Sequence, residues 1–288
     1  MKLFIKTGIT SLILASLIIS PMASAATSPG LGAANTFNVL SSSYVNTTPG
    51  TTLAGDLGYT TGPATAPTVG GNTHVANSTY NQAGIDQGNA LTFLNSQPCT
   101  FNFAPGPINL ATDTTHGPVG VYTPGVYCMT GAASVTASAT VTLDGAGVYI
   151  FRMDGALTTG ANSIVSLING ASACDVWWTP TQATSLGANS TFAGTDIDAA
   201  GISVGDGVIW NGQALAFGGT VTTDNDTFTS PTCNTSRGAT PAGPTSAPIL
   251  PNTGSGSSTS FTTLAVAAAA TLAVAVLGAL ALKKQRSL

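Results

Sequence analysis

The sequence predicts a mainly β chain whose strands wind into stacked coils, a β-solenoid, with one α-helix beside it. A repeat, a column of apolar residues and a set of corner residues carry that expectation. Thr158-Thr159-Gly160-Ala161-Asn162-Ser163 lines up with Ser185-Leu186-Gly187-Ala188-Asn189-Ser190. Ser203-Val204-Gly205-Asp206-Gly207-Val208 and Thr222-Thr223-Asp224-Asn225-Asp226-Thr227 follow, at successive offsets of 27, 18 and 19 residues. Periods of this size, with short β-prone runs between them, mark coils that stack on one another. Val165, Phe192 and Trp210 fall in one column and should fill the core. Leu186 and Val204 fall in another, so strand alternation should turn their neighbours Thr158, Ser185, Ser203 and Thr222 outward. Gly and Asn at the bends suit corners that need a left-handed backbone.

Taken in order, the chain opens with a secretory signal over residues 1–25. Lys2 and Lys6 precede an apolar run over residues 9–19, and Ala23-Ser24-Ala25 supplies the small-residue cleavage pattern. The run is short for a bilayer span, which argues against an uncleaved anchor. The exported domain is expected over residues 26–233. Phe37 and Val39, then Leu53, Leu57 and Tyr59, alternate with polar residues as short strands do. Ala76, Tyr80, Ala83, Ala90 and Leu94 fall at helical spacing and predict a helix over about 74–94, which Gly84 and Gly88 weaken. Residues 95–125 read as irregular, with several prolines.

A Pro- and Thr-rich linker over residues 234–249 follows. Leu250-Pro251-Asn252-Thr253-Gly254 then resembles the LPxTG-type sorting signal of Gram-positive surface proteins. Residues 261–282 are apolar over the length of a transmembrane helix, and residues 283–288 form a basic tail expected to stay cytoplasmic. The resemblance implies a membrane stage, cleavage by a sortase between Thr253 and Gly254, and attachment to peptidoglycan. The domain would then be held at the cell wall. Without that processing, the same segment is a plain membrane anchor, with the domain still outside.

Between residues 26 and 253 the chain has two basic and eleven acidic residues, a formal charge of −9, and neither Lys nor Glu. Nothing there could neutralise phosphates, which excludes a nucleic-acid partner. Phe151, Trp177, Trp178, Phe192 and Trp210, with many Val, Ile and Leu residues, are enough for a core. Cys99, Cys128, Cys174 and Cys233 in an exported chain suggest disulfides. Three pairings are open; Cys99–Cys128 and Cys174–Cys233 are favoured because the repeat brings those segments close. Their spacing does not suit zinc.

No nucleophile elbow, phosphate loop or metal motif appears, and His74 and His116 have no evident partner, so the sequence does not read as an enzyme. It implies no cofactor. Asp196 and Asp198, two apart on an expected strand, share a face as the paired carboxylates of sugar-cleaving or Ca²⁺-binding sites do, and Asp206, Asp224 and Asp226 could join a cation site near the coil corners. Exposed, solubilising carboxylates are the default reading of all five. Arg152 alone does not supply the basic surroundings of a polysaccharide lyase.

Several stretches together resemble the microbial ice-binding protein family. They are Gly55-Asp56-Leu57-Gly58, Pro124-Gly125-Val126-Tyr127, Leu143-Asp144-Gly145 with Tyr149-Ile150-Phe151, and Leu167-Ile168-Asn169-Gly170-Ala171. Cys174-Asp175-Val176-Trp177-Trp178 and Asn211-Gly212-Gln213-Ala214-Leu215-Ala216 complete the set. The resemblance implies a right-handed, discontinuous β-solenoid of triangular section, flanked by one long helix and binding ice through a flat face. Some members carry a Thr-Ala/Gly-any-Thr/Asn motif there, which Thr159-Gly160-Ala161-Asn162 and Thr65-Ala66-Pro67-Thr68 fit. Stacked coils space outward side chains about 4.7–4.8 Å apart, comparable in scale to oxygen spacings in ice. Thr holds its hydroxyl and methyl on a stiff side chain. The expected partner is thus an ice crystal surface, met by Thr158, Ser185, Ser203 and Thr222. A wall-attached adhesin or carbohydrate-binding module on the same fold is the alternative.

Overall fold

The computed structural model describes residues 25–233. The expected signal peptide, linker, sorting motif, transmembrane segment and basic tail lie outside them. Twenty strands, paired in parallel throughout, wind into coils with three flat faces, so each coil has a triangular section.

Face A carries Phe101–Asn102, Gly125–Met129, Tyr149–Met153 and Val176–Pro180, then the second half of Thr191–Ile197. Face B carries Ile108–Asn109, Ala133–Val135, Leu157–Thr159, Thr184–Leu186 and Ile202–Val204. Face C carries Val121–Tyr122, Thr140–Asp144, Ile164–Ile168 and the first half of Thr191–Ile197. The long strand Ile209–Thr223 crosses all three faces, aligning in turn with residues of face C, face A and face B.

The stack is not in chain order. Phe37–Asn46 pairs with Ile209–Thr223 on one side and with Asp56–Tyr59 on the other. The N-terminal coils therefore sit on top of the C-terminal ones. From their far end, after Thr73–Val75, the helix Ser78–Ser96 carries the chain back toward Phe101–Asn102 at the base. At 1.5 Å per residue its nineteen residues span about 28 Å, roughly six coil spacings.

The helix starts and ends later than the sequence predicts. His74 and Val75 belong to a strand, and the Asn77 side chain caps the helix by accepting from the Tyr80 amide at 2.9 Å. At the other end Arg152 donates to the Asn95 and Gln97 carbonyls at 2.6 and 3.1 Å. Gly84 is required: a Cβ there would lie 2.4 Å from the Phe217 ring. The inner stripe Tyr80, Ala83, Ala90 and Leu94 packs on Leu40, Val126, Ile150, Trp177, Ile197 and Leu215 of face A. Face A strands are thus buried on both sides, which explains unbroken apolar runs such as Tyr149-Ile150-Phe151.

Inside the prism, Tyr127, Phe151, Trp178, Phe192, Trp210 and Phe228 form one aromatic column, with neighbouring ring centroids 4.4–5.2 Å apart. The Trp178 and Trp210 indoles each donate to a backbone carbonyl at 2.9 Å, so the column leaves neither N–H unpaired. The corner between faces B and C repeats coil after coil. Ser138, Asn162, Asn189, Gly207 and Asn225 stand there with φ between 55° and 71°, each two residues before its strand. Asn tolerates that left-handed geometry better than other residues with a side chain.

Residues 95–125, expected to be irregular, contain three short strands that form the basal coil. Both disulfides form in the favoured pairing, Cys99–Cys128 and Cys174–Cys233.

Candidate functional site

The four outward residues singled out in the sequence stand in one vertical rank on face B. Backbone register places Asn109 beside Ser134, then Thr158, Ser185, Ser203, Thr222 and Val45. That is seven rungs spanning roughly 29 Å at the usual strand spacing. Thr158, Ser185 and Ser203 are exposed and Thr222 is half-buried. Their flanking residues, Leu157 and Thr159, Thr184 and Leu186, and Ile202 and Val204, all point inward. The helix packs on face A and leaves this rank uncovered. Asn109, Ser134 and Val45 extend the rank beyond what the repeat revealed, because their coils do not share its sequence pattern.

The motif Thr159-Gly160-Ala161-Asn162 forms the turn from face B to face C. Thr159 is buried and donates nothing outward; its hydroxyl accepts from the Gly187 amide at 3.1 Å. Gly160 and Gly187 stack so closely that a Cβ on Gly187 would lie 2.3 Å from the Gly160 carbonyl carbon. The motif thus sets the corner spacing, and its residues do not form the rank itself. Thr65-Ala66-Pro67-Thr68 leads into the short strand Thr68–Val69 of face C.

Face C holds a second rank that the sequence reading did not single out. Thr140, Ile164, Thr191, Ile209, Thr227, Thr52 and Thr68 lie in register, and all seven are exposed. Every member is β-branched. Each of Ile164, Thr191 and Ile209 immediately precedes a member of the column Val165, Phe192 and Trp210, so the alternation that exposes Ser185 also predicts them. Thr52, Thr68 and Thr140 had no such signal, because their coils depart from the repeat.

No charged side chain belongs to either rank. Asp154, Asp206 and Asp224 stand at coil corners, and Asp86 is on the helix. The expectation of exposed carboxylates fails at three positions: Asp196, Asp198 and Asp226 are 0–1 % exposed. Asp226 accepts from the Val208 and Asp224 amides at 2.8 and 2.7 Å and so closes a corner. Burial pushes its carboxyl up to about 7 against those two hydrogen bonds. Among the described residues, no three His, Cys, Asp or Glu side chains are grouped as a metal would require.

The histidines, which had no evident partner in the sequence, have them in the fold. His116 stacks on Tyr122 at 3.9 Å, donates from Nε2 to the Val121 carbonyl at 2.9 Å, and meets Asp113 at 2.6 Å. With Phe101, Phe103 and Tyr127 it plugs the base of the stack. His74 lies 3.6 Å from Asp56 near the other end. These contacts close the ends of the solenoid and supply no nucleophile.

Residues 39–229 match the ice-binding-like protein family. An ice-binding protein of Nostoc sp. (strain HG1) is 30% identical over 215 residues, covering 71% of this chain and 75% of that one. Ice-binding protein 1 of Shewanella frigidimarina (strain NCIMB 400) is 33% identical over 156 residues. That alignment covers 52% of this chain but only 16% of the Shewanella protein, which is much the longer of the two. The crystal structure of an ice-binding protein from the Antarctic ascomycete Antarctomyces psychrotrophicus superposes with a TM-score of 0.61 at 30% identity. It covers 70% of this chain and 97% of that one.

Proposed function

Because the chain belongs to the ice-binding-like family, we propose that it binds ice and does so through face B, along the rank Thr158, Ser185, Ser203 and Thr222. The observation that supports this reading is the rank itself: short hydroxyl-bearing side chains on five successive coils, Ser134 to Thr222, unshielded by the helix, on strands locked to both neighbours. A surface meeting a crystal gains nothing from side chains that must first be ordered, since each costs entropy to immobilise. Ser and Thr on a fixed sheet have little left to lose, and a face without charge does not hold its own tightly bound hydration layer. Adsorption of this kind restrains growth and recrystallisation of the crystal.

Face C supports a second reading. Its rank is longer in exposed rungs and uniformly β-branched, so it offers methyl groups and hydroxyls in stiffer positions than serine does. The two readings predict different sensitive residues.

We further propose that the mature chain is held at the cell wall through Leu250-Pro251-Asn252-Thr253-Gly254, by a sortase that joins Thr253 to peptidoglycan. The linker over residues 234–249 would reach at most roughly 55 Å when extended, which keeps the domain in or near the wall. Partition of the full chain into a slowly growing ice front is the direct test of ice binding. A chain left entirely in the liquid, with crystals growing as in buffer, overturns it. Release of the chain from intact cells by wall hydrolase, and not by detergent, tests the anchor.

A further inference from the structure

Inside the solenoid, where face A turns into face B, four oxygen atoms have no hydrogen-bond partner. They are both carboxylate oxygens of Asp196, Oδ2 of Asp198 and the Thr184 hydroxyl. Asp196 and Thr184 are 0 % exposed and Asp198 is 1 % exposed. Asp196 lies in register with Trp178 below and Ala214 above, on the inward side of its strand. Thr184 is in register with Ile202 and also faces inward, and it adjoins both carboxyl groups. Asp198 spends its other oxygen on the Ala200 amide at 2.8 Å.

Two carboxyls buried this way either hold a proton, as burial favours for both, or need a counter-charge, because an unpaired buried charge is among the costliest features a core can hold. The described residues provide none. Arg152 is the only Lys or Arg among the described residues, and it is committed to the carbonyls that end the helix. The histidines are paired with Asp56 and Asp113. What the corner has instead is two carboxyls and a hydroxyl side by side, all oxygen donors, which is the donor chemistry of a hard cation.

We propose that Asp196, Asp198 and Thr184 form a buried site for one Ca²⁺ ion. Two carboxylates balance its charge, Asp196 has both oxygens free for bidentate contact, and the threonine hydroxyl adds a neutral donor. Water and nearby carbonyls complete the six to eight oxygens that Ca²⁺ takes; Mg²⁺ demands stricter octahedral geometry and fits a strand-built corner less well. The donors come from two adjacent coils, Thr184 from one and the aspartates from the next. The ion therefore ties the coils together directly behind Ser185, whose side chain leaves the same strand on the opposite side.

The test uses the full chain, stripped with EGTA and dialysed at pH 7.5. Metal content after equilibration with CaCl₂ should approach one ion per chain, and the melting temperature should rise with calcium concentration. Asp196→Asn should weaken calcium binding at least tenfold, whereas Asp206→Asn, at an exposed corner, should leave it unchanged. A wild-type chain that takes up no calcium, or calcium binding that survives in Asp196→Asn, overturns the proposal. If that variant fails to fold, the metal content of the wild-type chain and of Asp198→Asn decides the matter. A wild-type melting temperature at pH 7.5 that is indifferent to calcium also overturns it.

Discussion

Ser185→Tyr places one large side chain on the middle rung of the face B rank, with three rungs on either side. The ring would stand about one van der Waals diameter, roughly 3.5–4 Å, above the tips of Thr158 and Ser203. Dispersion contacts lose a quarter to a half of their depth for a gap of only 0.5–1 Å, so a rigid crystal plane lifted that far loses its neighbouring rungs outright. Tilting the plane restores contact along one half of the rank only, leaving three of seven rungs engaged. Thermal hysteresis at equal concentration should therefore fall at least several-fold, and recrystallisation inhibition should need a correspondingly higher dose. The position is exposed, so the unfolding free energy should change by no more than about 0.5 kcal/mol. Nanolitre osmometry, with the melting temperature measured alongside, gives both numbers. Undiminished hysteresis in a folded Ser185→Tyr chain refutes the assignment to face B. If Thr191→Tyr, on face C, then abolishes activity, the second rank carries the contact.

Four further outcomes follow from the fold. Asn162→Ala, at a corner with φ of 58°, should cost about 1–2 kcal/mol in urea unfolding, while Asn162→Gly should cost little. Trp178→Ala interrupts the aromatic column at full burial and should destabilise the chain by roughly 3–5 kcal/mol by the same measure. Replacing Cys174 and Cys233 by Ser opens a link across 59 residues, which the chain-entropy relation puts at about 4 kcal/mol, read from the thermal midpoint at fixed pH. Asp226, with its carboxyl raised to about 7, binds a proton in the folded state that the unfolded chain releases near pH 4. Its contribution is complete below that lower value and lost as pH rises toward 7, by up to about 1.4 kcal/mol per pH unit. Unfolding curves at pH 5 and pH 8 should differ in that sense, and Asp226→Asn should flatten the difference.

What the sequence revealed, and what it withheld, follows from where the repeat is regular. Between Thr158 and Thr222 each coil repeats its corner and its alternation, so the inward column and the outward rank on face B can be read directly from residue types. The rank on face C obeys the same alternation, but two of its members are isoleucines. An isoleucine beside an apolar column reads as core until the geometry shows which way it points. The order of the coils could not be read from the repeat at all. Phe37–Asn46 docks on Ile209–Thr223 across more than 170 residues, and the pairing depends on backbone hydrogen bonds that leave little mark on composition.

The buried aspartates show the opposite failure. Asp196 and Asp198 interrupt an otherwise apolar inward side, and residue type alone places them outside because a carboxylate is rarely buried without a partner. The strand periodicity, applied without regard to polarity, puts Asp196 in line with Trp178 and Ala214, which is where the structure has it. Where periodicity and polarity disagree, the ladder decides. Turning Asp196 to the other side of its strand would set it beneath the helix that covers face A and, by shifting the strand one residue, expose Phe192 on face C as well. The strand therefore keeps its register and accepts the buried carboxyl, which burial holds well above the usual carboxylate range.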